Sequence, residues 1–214
     1  MEDLSEHEKL IEQYVSEDNK DAAVQLLSEL IIKFAQNRNF EQAEAMRDRL
    51  FEVDSMALNQ IVKTGEFIEA EKNSAIDKTH LDTWSELYDS LEPVETNALY
   101  YGMQTLEIPA EHMLFKQGDN CSRLYFIDSG RLKMFYRQAD KAILLKILGP
   151  GDIIGEDTFF FSDAFCTTSV ITDSPVKLRV LEKDRLAELN EKVPGLEPKI
   201  NDYCLKLESV ADLL

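Results

Sequence analysis

Ile147–Thr172, ILGPGDIIGEDTFFFSDAFCTTSVIT, settles what kind of chain this is. Ile147-Leu148 ends an apolar run. Gly149-Pro150-Gly151-Asp152 then predicts a tight turn, because Gly tolerates positive φ and Pro fixes its own. Ile153-Ile154 resumes the core as a short strand. Gly155-Glu156-Asp157-Thr158 predicts a helix start, whose unpaired backbone N–H groups suit an anion. Cys166–Thr172 alternates and is rich in Thr, Val and Ile, the composition of a strand.

The same strand–turn grammar runs through the neighbouring sequence. From Gln104 the apolar period is two: Leu106–Ile108, Met113–Phe115, Leu124–Ile127, Leu132–Tyr136, Ile143–Leu148, Ile153-Ile154, Thr168–Ile171 and Val176–Leu181 predict about eight short strands. Five of the eight glycines fall between positions 118 and 155. Many short strands punctuated by glycine turns predict an antiparallel β-roll or barrel.

On either side the period is helical. Residues 4–17, a run from Ala23 to Ala35 with Asp21 as its N-cap, Phe40–Val53 and residues 56–72 predict four N-terminal helices. Lys72–Lys78 is short and polar and marks a boundary. We therefore divide the chain into residues 1–76, a helical hairpin and interaction region, and residues 77–214, the β-domain with its flanking helices. Leu81, Trp84, Leu87, Tyr88 and Leu91 predict one amphipathic helix, and Pro93 stands at the first position of the next. After Leu181, residues 184–190 form a short helix stopped at Pro194-Gly195. Leu196, Ile200, Tyr203, Leu207, Val210 and Leu214 then form a seam spaced by four and three, compatible with packing onto the same chain or with a homodimer. The fold class expected is α+β.

The order of parts resembles the cyclic-nucleotide-binding domain of the cAMP receptor protein and of protein kinase A regulatory subunits. The resemblance rests on Ile108-Pro109-Ala110, Phe115–Asp119, Leu124–Ile127, Ser129–Leu132, Leu148–Asp152 and Gly155-Glu156, and it covers about residues 93–190. It implies a ligand cassette at Gly155, Glu156, Asp157, Thr158, Phe165, Cys166 and Thr167. In the family a Glu after a Gly holds the ribose 2′-hydroxyl, and an Arg nine or ten residues later neutralises the cyclic phosphate. Glu156 matches the first by resemblance, although capping of backbone N–H groups at the cassette helix is the role preferred for it. The second falls on Phe165 or Cys166, neither of which carries positive charge. No Lys, Arg or His lies between Lys146 and Lys177, while Asp152, Glu156, Asp157, Asp163 and Asp173 do. Burying a phosphate there without a counter-ion would cost several kcal/mol. The expectation is a degenerate cassette with no cofactor, a cyclic nucleotide being disfavoured; Phe159, Phe160, Phe161 and Phe165 could fill the vacated space, line it for an apolar ligand or face a partner, and filling is the reading adopted. The rival reading recruits Lys133, Arg137 or Lys146 from another strand, and a further one makes the protein a pure interaction scaffold. No helix-turn-helix is expected, since the seam ends the sequence.

Phe40-Glu41-Gln42-Ala43 with Arg47-Asp48 also resembles the hairpin motif of bacterial excision-repair nuclease subunits, and Ala43, Leu50 and Asp54 resemble one tetratricopeptide-like unit. An ordinary helical hairpin is the reading adopted, with no second repeat expected. The N-terminal region is expected to contact a protein partner.

Composition narrows the function. A net charge of −18 in 214 residues argues against nucleic acid and anionic membranes, which require clustered Lys and Arg. No apolar run is long enough to span a bilayer, and the acidic N-terminus is unlike a signal peptide. Cys121, Cys166 and Cys204 are scattered, so we expect free thiols and a cytoplasmic protein; a buried, inert Cys166 is preferred to a thiol sensor, because no His, Lys or Arg lies nearby in sequence to activate it. His7, His80 and His112 lack metal-ligand spacing, and no nucleophile–base order or phosphate loop occurs, so neither metal nor catalysis is expected.

Overall fold

A computed structural model describes residues 4–139, 141–160 and 165–211; Phe161, Asp163 and Leu214 fall outside them, and Val210 is described by its backbone alone. The chain divides into two compact units, Met1–Ile76 and Asp77–Leu214.

The first unit packs four helices: α1 (Leu4–Ser16), α2 (Lys20–Gln36), α3 (Phe40–Val53) and α4 (Leu58–Ser74). Their helical-period apolar residues meet in one core of Ile11, Val24, Leu27, Leu30, Ile31, Ala43, Leu50 and Ile68. Asn19, not Asp21, caps α2, its side chain accepting from the Ala22 N–H at 3.3 Å. Asn39 does the same for α3 from Gln42 at 3.4 Å. Both turns place the residue before the cap in the left-handed region, Asp18 at φ 57° and Arg38 at φ 58°. The same turn geometry thus recurs after twenty residues.

The second unit is α+β. Helices α5 (Lys78–Thr83), α6 (Ser85–Tyr88) and α7 (Pro93–Gly102) lead into eight strands: β1 (Gln104–Ile108), β2 (Met113–Phe115), β3 (Arg123–Ser129), β4 (Leu132–Gln138), β5 (Lys141–Leu148), β6 (Ile153–Ile154), β7 (Ser169–Thr172) and β8 (Val176–Glu182). A single turn, α8 (Glu156–Phe159), sits between β6 and β7, and α9 (Lys183–Lys192) and α10 (Leu196–Ala211) close the unit. The strands form two antiparallel four-stranded sheets, ordered β1-β8-β3-β6 and β2-β7-β4-β5. Their inward faces, among them Tyr125, Ile127, Leu132, Leu148, Ile154, Val170, Leu178 and Val180, make the roll's own core. On the edge strand β5 the apolar Ile143, Leu144, Leu145 and Ile147 remain exposed.

The amphipathic stretch around Trp84 is two short helices rather than one. Trp84 is fully buried at their junction and meets the Phe126 ring edge-on at 5.1 Å, so filling the core outweighs continuing the helix. Pro93 begins α7 as expected, with Glu92 and Glu95 forming a capping box. The terminal seam turns inward: Leu196, Ile200 and Cys204 are buried in the core that also holds Trp84, Phe126 and Phe159.

Candidate functional site

The cassette is built on one glycine. Gly155 has φ 95°, and a Cβ there would run into the carbonyl oxygen of Arg123 on β3, so only glycine lets the chain pass this close and turn into α8. The Phe159 N–H closes the turn on the Gly155 carbonyl at 2.8 Å. With four residues, α8 has too few aligned peptides to offer much of a dipole, and the helix-start anion site anticipated from the sequence shrinks accordingly.

Of the seven residues assigned to the cassette, Gly155, Glu156, Asp157, Cys166 and Thr167 come together around a cavity of about 120 Å³, joined by Phe115, Cys121, Met134, Ile154 and Thr168. Thr158 is buried with its hydroxyl donating to the Gly155 carbonyl at 3.2 Å. The Thr167 hydroxyl donates to Asp157 Oδ2 at 2.8 Å and so links the two arms of the cassette. Phe165 is not in the lining. It is 61% exposed and pairs its backbone with Asn120. Phe159 and Phe160 point into the core beneath α8 instead. The idea that these aromatics plug the cavity is corrected for the three that are described: α8 directs its apolar side to the helices behind it, and the bridge to Asn120 turns Phe165 outward.

No basic side chain lines the cavity among the described residues. The three cations considered as substitutes lie elsewhere. Lys133 and Arg131 pair with Asp173, the latter at 3.1 Å, and Lys146 pairs with Asp152 at 3.0 Å. Arg137 borders a wider groove of about 850 Å³ with Lys116, Met113, Phe135 and Ile171.

Cys121 and Cys166 overturn the expectation of free thiols. They are disulfide-bonded with Cα atoms 5.5 Å apart at a sequence separation of 45. Backbone pairing brings them there: the Cys166 N–H donates to Asp119 O and the Gly118 N–H to Cys166 O, both at 2.8 Å. Spacing could not reveal the pair, because it joins a loop before β3 to the end of the cassette. Cys204 stands outside this disulfide and is buried.

A second polar constellation was invisible as three scattered histidines. His80 Nδ1 lies 2.7 Å from Asp128 Oδ1, and its Nε2 lies 2.7 Å from the Tyr88 hydroxyl. Trp84 Nε1 donates to the same Asp128 oxygen at 2.9 Å, and Arg179 donates to the Tyr100 hydroxyl at 2.7 Å. His80, Asp128 and Arg179 are all buried. Burial depresses the His80 imidazole against the pull of Asp128 and pushes the Tyr88 phenol up. Burial also works against the Asp128 carboxylate, yet hydrogen bonds from His80 and Trp84 and the nearby Arg179 hold it below its ordinary value. The cluster ties α5 and α6 to β3 and β8. Among the described residues, no three His, Cys, Asp or Glu side chains gather as a metal site, and no helix is long and apolar enough to cross a membrane.

Known proteins place this geometry. Residues 105–192 match the sequence model of the family described as "Cyclic nucleotide-binding domain". A curated relative, the CRP-like cAMP-activated global transcriptional regulator of Mycobacterium tuberculosis, is 33% identical over 101 residues, 47% of this chain and 45% of the relative; the chain thus spans about half the length of the curated relatives it matches. A cyclic nucleotide-binding domain from Methylobacillus flagellatus superposes with TM-score 0.56 at 24% identity, covering 63% of this chain and 76% of that one. Thermus thermophilus catabolite activator protein gives 0.51 at 23%, covering 59% and 60%. At these identities the structural likenesses speak to fold alone. The relative also corrects one expectation: net charge had been read as excluding nucleic acid, and that conflicts with kinship to a transcriptional regulator. A charge summed over 214 residues averages away any local surface, so it is a poor guide to partners. Residues 105–192 thus match the cyclic nucleotide-binding domain in sequence, and the roll that contains them shares its fold with solved domains of that kind.

Proposed function

We propose that this chain is a non-catalytic regulatory module whose cassette does not take cAMP or cGMP in the family's usual way. The observation that carries the reading is the cavity itself: about 120 Å³, with Glu156 and Asp157 in its wall and no basic side chain among the described lining residues. Small-molecule sites usually enclose about 300–1,000 Å³. A cyclic phosphate placed here would meet two carboxylates and no counter-ion, an arrangement that disfavours burial by several kcal/mol. Lys133 and Lys146 could be recruited only by giving up Asp173 and Asp152.

Signalling would pass as a change of packing. Phe159 projects from α8 into a core shared with Leu186 and Leu189 of α9 and Leu196 and Ile200 of α10. A stimulus that moves the cassette therefore repacks the C-terminal helices, because close-packed interiors switch between discrete arrangements rather than deform smoothly. Isothermal calorimetry with cAMP and cGMP tests the reading. No saturable heat is expected with either nucleotide up to about 1 mM, equivalent to binding weaker than about −4 kcal/mol, and micromolar binding of either would overturn it.

A further inference from the structure

We propose that Cys121 and Cys166 form a reversible thiol–disulfide centre, so that the stimulus read by this cassette is the redox state of small thiols. Three observations support it, and none depends on whether a nucleotide binds. First, the pair lies in the wall of the cassette cavity with Gly155, Glu156 and Asp157, the elements a regulatory ligand would otherwise move. Second, the two sulfurs differ in access. Cys166 is 4% exposed, whereas Cys121 is half-buried in the loop between β2 and β3. Third, the partners stay in register without the bond. The Asn120–Phe165 bridge and the hydrogen bonds of Cys166 to Asp119 and Gly118 hold the two Cα atoms 5.5 Å apart, within the span a disulfide requires. Opening and closing thus need no large backbone search.

The chemistry is exchange with a low-molecular-weight disulfide such as oxidised glutathione. The Cys121 thiolate attacks one sulfur of that disulfide, which breaks its S–S bond, forms a mixed disulfide on Cys121 and releases one small thiolate. The Cys166 thiolate then attacks the Cys121 sulfur, forms the internal bond and expels the second small thiolate. The cysteine pair loses two electrons to the small disulfide, and the two protons from the cysteine thiols end on the two released thiols. Two excess thiol molecules run the sequence backward. Glu156 and Asp157 in the same wall give a forming thiolate no counter-charge, which favours the bonded state. Reduction removes the covalent link between the cassette's C-terminal arm and the roll, and leaves that arm on backbone hydrogen bonds and the Thr167–Asp157 contact.

The test uses the full chain, folded throughout, with Trp84 fluorescence as the monitor. After dithiothreitol treatment, Cys121 and Cys166 should both take an alkylating label, read by peptide mapping; after oxidised glutathione, neither should. Hydrogen exchange in a peptide covering Phe165–Thr168 should quicken at least tenfold on reduction, with β3 and β8 unchanged. Cys166→Ser should trap glutathione on Cys121. A pair that fails to open in dithiothreitol until the protein unfolds, or fails to close in oxidised glutathione, overturns the proposal. Equal exchange in the two states overturns the link to the cassette, and a glutathione adduct that forms only on Cys166, in Cys121→Ser, overturns the order of attack.

Discussion

Replacing Cys121 with Ser should destabilise the second unit by about 4 kcal/mol under oxidising conditions. The figure follows from the loop that the bond closes. For the 45-residue separation, chain entropy changes by about −13 cal/mol/K, which is about 4 kcal/mol at 25 °C. Cys121 is half-buried, so the new hydroxyl finds water and adds little. Cys166→Ser should cost about 1 kcal/mol more, since that side chain is 4% exposed and a hydroxyl there would be buried. The double variant should be no worse than Cys166→Ser, because both single changes delete the same bond. Urea unfolding followed by fluorescence isolates the effect, since the chain has one tryptophan and it is buried in the core of residues 77–214. With a urea slope of about 2 kcal/mol/M, the midpoint should fall by about 2 M. Dithiothreitol should bring the unsubstituted protein down to the level of Cys121→Ser and leave that variant where it is. A midpoint that does not respond to reductant, or a Cys121→Ser loss below about 1 kcal/mol, would refute the reasoning, since neither is compatible with a loop of this length being closed in the native state.

Two further outcomes concern the roll and its supports. Stability should fall as pH drops through the ordinary imidazole value of 6.5, because burial depresses the His80 imidazole in the native state and the unfolded chain takes up the proton more readily; a flat urea midpoint from pH 7.5 to 5.5 would contradict it. Gly155→Ala combines a left-handed backbone with a collision against the Arg123 carbonyl, so its thermal midpoint should fall by an amount equivalent to about 2 kcal/mol or more; a neutral result would mean that the cassette turn is not held as described.

The roll was legible in the sequence because its signals are local. Period-two apolar residues and glycine turns placed all eight strands, since a strand advertises its buried face every second residue. Helix boundaries were less clear. The run from Leu81 to Leu91 has an unbroken helical period, yet the helix breaks at Trp84, where burying the indole and reaching Asp128 outweighs one turn's hydrogen bonds. The absence of Lys, Arg and His between Lys146 and Lys177 could be read directly, because an absent residue type needs no coordinates. Which aromatic faces inward could not: Phe159 and Phe165 are six positions apart, and the fold buries one and exposes the other.

Residue order was enough to specify an α+β chain with a roll, a glycine-hinged cassette and no basic residue from Ile147 to Val176. Those properties follow from composition and from short-range period, which the chain carries whether folded or not. Folding alone brought Cys121 to Cys166 and His80 to Asp128, across 45 and 48 residues. Contacts at such separations are set by sheet pairing and by the exclusion of water from a shared core, and neither leaves a mark in the spacing of the residues involved.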